Sequence, residues 1–147
     1  FELESEKYFN FLTNLQTFDL RNSNLKKVTY LANIRRLILV NNLIESIENN
    51  SLSSTLNSLD MKKNRLTRLK KYFFSRLNRL NSLDLSKNKI EDIEPDTFID
   101  LNSLRNLFLS SNYLENLYSN MFIGLIQLNR LDLSSNKIEN FHSNSFN

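Results

Sequence analysis

The sequence predicts an α/β solenoid in which one short-strand unit repeats along the chain and stacks into a single parallel sheet. Three observations predict it. The template LxxLxLxxNxL recurs six times, starting at residues 15, 34, 56, 80, 104 and 128. The intervals between starts are therefore 19, 22, 24, 24 and 24, close to the roughly 20–29 residues that one strand and its return need. A second, slower rhythm runs in register with the first, with Phe74, Phe98, Phe122 and Phe146 recurring at the same interval as the last copies.

The strand half of each copy follows from alternation. Positions four and six are apolar, as in Leu83/Leu85, Leu107/Leu109 and Leu131/Leu133, and a period of two turns both side chains to the same face. Position nine is Asn42, Asn64, Asn88, Asn112 and Asn136. An asparagine amide carries both donors and an acceptor, so it can satisfy the backbone groups that a turn leaves free. The first copy has Ser23 there, whose shorter reach predicts the weakest rung.

The return half carries its own apolar line. Leu77, Leu101 and Leu125 come three places after their phenylalanines, and Phe9 and Leu12 repeat the pair upstream of Leu15. Residues 1–14 read as the tail of another copy, and the far end stops within a repeat at Phe146. No polar cap is evident at either end, although solenoids need one. We read residues 1–147 as a single domain and as a segment of a longer solenoid.

These features resemble the leucine-rich repeat family. Copies at the interval of 24 with a Phe-x-x-Leu step, such as Phe98-Ile99-Asp100-Leu101, are similar to the typical animal extracellular subclass. That subclass includes Toll-type receptors, axon-guidance ligands and secreted insect immune proteins. The resemblance implies a horseshoe with a concave parallel sheet, an irregular or 3-10 convex side and an asparagine ladder inside. It also implies a non-enzymatic module, secreted or in the ectodomain of a membrane protein, serving innate immunity or cell-surface signalling. Such a module binds a protein ligand or co-receptor through its concave face, with homo- or hetero-dimerisation open to it. The cysteine-rich flanks common in the subclass are missing here. Three other readings stay open: an intracellular scaffold or regulatory subunit, a glycan- or anion-binding segment, and a structural spacer.

Composition narrows the chemistry. A formal net charge of +3 over 147 residues is too small an excess to predict a nucleic-acid binder. With no cysteine there is no thiol nucleophile, disulfide or cysteine zinc site. No apolar run approaches the roughly 20 residues of a membrane helix. A lone glycine, Gly124, excludes a glycine-rich phosphate loop. The single histidine, His142, has no serine or acid at a catalytic spacing, so no cofactor, metal site or enzyme activity is expected. One glycosylation sequon occurs, at Asn49-Asn50-Ser51.

Ligand candidates come from positions that break the concave pattern. Position five is aspartate in four copies, but the second copy presents Arg36, Ile38 and Val40, with Leu43 beside them. The fifth has Phe108 at position five and Tyr113 on its ascending loop. Aliphatic and aromatic residues on a rigid scaffold are what interface cores are made of; ordinary surface scatter is the plainer account. A basic run, Lys62 to Arg79, is expected to be largely neutralised between repeats, through Arg68 with Asp92, Lys70 with Glu94 and Glu48, and Arg76 with Asp100. That leaves Lys62, Lys63, Arg65, Lys87 and Lys89 as a possible anion-binding cluster.

Overall fold

The computed structural model describes residues 14–28, 33–48 and 51–142. In chain order its strands are β1 (Thr17–Asp19), β2 (Arg36–Ile38), β3 (Ser58–Asp60), β4 (Arg68–Leu69), β5 (Ser82–Asp84), β6 (Asp92–Ile93), β7 (Asn106–Phe108), β8 (Asn116–Leu117), β9 (Arg130–Asp132) and β10 (Asn140–Phe141). The longer strands form one parallel sheet in the order β1-β2-β3-β5-β7-β9. Two small parallel pairs, β4–β6 and β8–β10, lie on the ascending side. Strand centres Phe18, Leu37, Leu59, Leu83, Leu107 and Leu131 pair in succession. Their offsets are the same intervals that separate the copies of the template.

Each strand is short because the chain must turn inward directly after it. Position eight takes a left-handed backbone in all six copies: Asn22, Asn41, Lys63, Lys87, Ser111 and Ser135 have φ between 55 and 59°. That conformation costs a residue with a Cβ about 1 kcal/mol, and the next residue offsets it. The Asn88 amide donates to its own Leu85 carbonyl (3.0 Å) and to the Met61 carbonyl of the preceding copy (3.0 Å). Its oxygen accepts the N–H of Leu66 at 3.1 Å. Asn42, Asn64, Asn112 and Asn136 repeat the arrangement. Ser23 reaches only the Arg21 carbonyl at 3.3 Å, so the ladder ends there.

The apolar positions fill the space between sheet and return. Leu37, Leu39, Leu59, Met61, Leu83, Leu85, Leu107 and Leu109 are fully buried, each such side chain contributing roughly 1.5–3 kcal/mol of transfer free energy. Among the described residues the convex side has turns and no helix. Its spine is aromatic: Phe74 and Phe98 stack at 5.9 Å, and Phe98 and Phe122 at 6.2 Å, with interplanar angles of 9° and 7°. Leu52 occupies the equivalent place in the shorter second copy, since 52 − 34 equals 74 − 56. Thr97 is buried between these layers, and its hydroxyl donates to the Glu94 carbonyl at 2.7 Å.

The end copies are thinner. Leu15, Phe18, Leu131, Leu133 and Ile138 are only partly buried. Phe9, Leu12, Phe146 and the sequon residue Asn49 lie outside the described residues.

Candidate functional site

The solvent face of the six-stranded sheet is built from template positions three, five and seven. Its dominant feature is the aspartate column, and the structure gives that column a structural task. Asp84 accepts both the N–H and the hydroxyl of Ser86, at 2.8 and 2.6 Å. Asp132 does the same with Ser134, at 3.0 and 2.7 Å. Asp60 accepts the Lys62 N–H at 3.1 Å, and Asp19 clamps the Arg21 guanidinium at 2.6 Å. Each carboxylate thus stiffens the loop two places on, a local turn that aspartate favours.

The members of the column titrate differently. Burial pushes Asp60 above the ordinary carboxylate value, against the opposing hydrogen bond from Lys62. Asp132 is held below it by the Ser134 hydroxyl and then the Ser134 N–H. Asp19 is likewise lowered, first by the Arg21 side chain.

The two breaks in this column fare unequally. Arg36 is exposed, and Val40 and Leu43 are half-buried. Ile38, expected to present an exposed apolar surface, is only 7% exposed. It lies in register between Asp19 and Asp60 and outside the main core cluster, so neighbouring side chains cover it on the solvent side. The second copy therefore offers an arginine and a shallow aliphatic strip rather than an open apolar patch.

The fifth copy offers more. Phe108 sits half-buried between Asp84 and Asp132. The Arg130 guanidinium lies over its ring at 5.0 Å from the centroid. Tyr113 is 42% exposed, and the Lys137 ammonium stands 4.7 Å from its ring. Arg130 and Lys137 do not stand out in the sequence. The repeat register could have found them, because each comes from the next copy and Lys137 holds the same template position there as Tyr113. Phe108 and Tyr113 are thus the ring halves of two cation–π pairs, each worth roughly 0.5–1 kcal/mol when exposed.

The basic residues separate as well. Arg68 pairs with Asp92 at 2.7 Å and with Glu94 at 3.3 Å. Lys71, rather than Lys70, forms the neighbouring bridge, to Asp96 at 2.9 Å, while Glu94 takes the Lys71 N–H. Asp100 accepts the backbone N–H of Arg76 at 2.8 Å, not its guanidinium. Lys63 and Lys87, and Arg65 and Lys89, occupy equivalent places in adjacent copies, one strand spacing of roughly 4.8 Å apart. With Lys62 they make a cationic ridge along the ascending edge. None of the five forms a salt bridge among the described residues.

Comparison with known proteins places this architecture. Residues 54–114 match the leucine rich repeat family, and the same template, register and ladder continue on both sides. The fold is that of a leucine-rich repeat solenoid. Among solved structures it is similar to a chain of the Drosophila Toll–Spatzle complex, with a TM-score of 0.76 and 23% identity. That match covers 90% of this chain and 20% of the Toll complex chain. It is similar also to TLR13 in complex with ssRNA13, with a TM-score of 0.75 and 27% identity over 94% of this chain and 24% of that one. The chain thus spans between a fifth and a quarter of these two structures. No curated protein matches its sequence.

Proposed function

We propose that this chain is a non-enzymatic recognition segment of an extracellular leucine-rich repeat ectodomain, holding a protein ligand or co-receptor against its concave sheet. The setting proposed is innate immunity or cell-surface signalling. The observation that carries the reading is the Phe108–Arg130 pair, an aromatic ring under a guanidinium, flanked on the same face by Asp84, Ser86, Asn106, Ser110, Asp132 and Ser134. Aromatic and arginine anchors dominate binding energy at protein interfaces, and the turns formed by Asp84 and Asp132 keep the surrounding face rigid.

The likeness to Toll supports this setting, because that structure is described as a molecular hub in Drosophila development and innate immunity. The TLR13 structure holds single-stranded RNA. Sequence-tolerant binding of a single strand relies in general on successive aromatic platforms. Among the described residues this sheet's solvent face carries one aromatic, and Arg130 already covers it. A non-enzymatic role is supported by the carboxylates: those of Asp19, Asp84 and Asp132 are engaged by the residues two positions on, and His142 stacks on Tyr118 at 5.4 Å.

Capture from native tissue extract tests the reading. Phe108→Ser and Arg130→Ser should each lower recovery of a partner bound by the wild type. Tyr72→Ser, an exposed position on the return side, should leave it unchanged. Equal recovery by all three would refute the proposed face. The unpaired ridge supports a second reading, an anionic partner on the ascending edge. Replacing Lys62, Lys63, Arg65, Lys87 and Lys89 by glutamine should then abolish retention on immobilised polyphosphate, and retention that survives would remove that reading.

A further inference from the structure

On the flank where each return segment descends into the next strand, the chain forms a groove of about 540 Å³. This volume falls within the roughly 300–1,000 Å³ of small-ligand sites. Three successive copies build it: Ser54 and Thr55 lead into β3, Arg76, Asn78 and Arg79 into β5, and Asn102 into β7. It is separated from the sheet face and from the ascending ridge by the strands themselves.

The charges in this groove are unbalanced. Asp100 also lines it, but one of its oxygens is taken by the Arg76 N–H at 2.8 Å. Neither the Arg76 nor the Arg79 guanidinium has a partner among the described residues. Each is a planar fork of five N–H donors with no acceptor, facing a shared space.

The backbone at Arg76 tolerates loss of the side chain. Its φ is +67°, and Gly124, at the equivalent position two copies further on, has φ +94°. Glycine adopts this conformation freely.

The remaining wall is hydroxyl and amide. Ser54 and Asn78 side chains make no hydrogen bond among the described residues. With its amide nitrogen donating to the Gly124 and Ile99 carbonyls at 3.1 and 3.3 Å, Asn102 keeps its oxygen as an acceptor. No aromatic ring lines the groove, so it offers no platform for a nucleobase or a flat apolar ligand. The geometry points to a binding site for a sulfated oligosaccharide. The two guanidiniums bind a sulfate ester through charge-assisted, bidentate hydrogen bonds, and Ser54, Asn78 and Asn102 bind ring hydroxyls.

Calorimetric titration of the whole chain with a sulfated heparin-type hexasaccharide, its desulfated counterpart and a single-stranded oligonucleotide of equal charge tests this. Arg76→Gly with Arg79→Gln removes both guanidiniums while glycine accepts the left-handed backbone, so the fold is kept. Arg79→Gln alone serves as a second, milder variant. We expect the double variant to bind the sulfated sugar about tenfold more weakly, Arg79→Gln about threefold, and desulfation to weaken wild-type binding about tenfold. Glutamine at Lys62, Lys63, Arg65, Lys87 and Lys89 should leave the affinity within about twofold, since screening limits their reach to the flank. Unchanged binding by both groove variants, indifference to sulfation, tighter binding of the oligonucleotide, or loss caused by the ridge substitutions would each overturn the assignment.

Discussion

Asn88→Ala tests the asparagine ladder, and its size can be worked out bond by bond. The substitution removes three short hydrogen bonds, to the Met61 carbonyl, to the Leu85 carbonyl and from the Leu66 N–H, and a long one to the Ser86 carbonyl at 3.4 Å. The carbonyls are not orphaned. Met61 still accepts from Asn64 at 3.0 Å, and Leu85 from Asn112 at 3.1 Å. Each of these losses is therefore an ordinary net hydrogen bond, about 0.5–1.5 kcal/mol. The Leu66 N–H has no second acceptor and is left buried and unpaired, which costs about 1–3 kcal/mol. Together they predict a destabilisation of about 2–4 kcal/mol, allowing for incomplete additivity. Asn136→Ala breaks the same three kinds of bond, but Asn136 is half-buried and water can replace it, so its effect should be about 1 kcal/mol or less. Urea unfolding followed by circular dichroism measures both, and amide exchange at Leu66 locates the loss. A cost below about 1 kcal/mol for Asn88→Ala, or equal costs at the two sites, would refute the reasoning.

Further expectations concern the turns, the buried threonine and the aspartates. A Cβ at Gly124 would stand 2.5 Å from the Ile99 oxygen and 2.6 Å from its Cα, so Gly124→Ala should destabilise by several kcal/mol, about 3 or more; thermal melting checks it. Thr97→Val keeps the shape and removes the hydroxyl bonded to Glu94, predicting a loss of about 1 kcal/mol in urea unfolding. Asp60 and Asp132 share one template position but should titrate on opposite sides of the free carboxylate value, which carboxyl-carbon NMR resolves. For Asp60 the folded pKa is raised, so its contribution to stability improves as pH falls through that value; for Asp132 it is lowered, so a favourable contribution present at neutral pH is lost as pH falls through the folded value. Asp60→Asn should therefore flatten the first dependence and Asp132→Asn the second.

How much is legible in the sequence depends on whether a residue's neighbours sit at the repeat interval. The inward leucines, the asparagine rungs, the stacked phenylalanines and the Arg68–Asp92 bridge all follow from the repeat register, because the contacts join equivalent positions. Ile38 does not follow. Its exposure depends on how far the side chains beside it lean over the sheet, which no periodicity records. The charge pairs show a related limit. Register brings Arg76 beside Asp100, yet the left-handed backbone at Arg76 lets the N–H take the carboxylate and leaves the guanidinium to the groove. The Phe108–Arg130 contact runs diagonally between position five and position three of the next copy, so column-by-column reading passes over it. The aspartate column reads as plain solvated surface because its partners lie two places away within the same loop.

Docking of a protein partner on the concave sheet at Phe108 is what the proposed function requires. Photo-crosslinking tests it most directly, with a light-activated phenylalanine analogue placed at position 108 and, separately, at position 72 on the return side. In native extract, position 108 should give a discrete crosslinked protein and position 72 none. A crosslink from position 72 alone, or from neither, would contradict it.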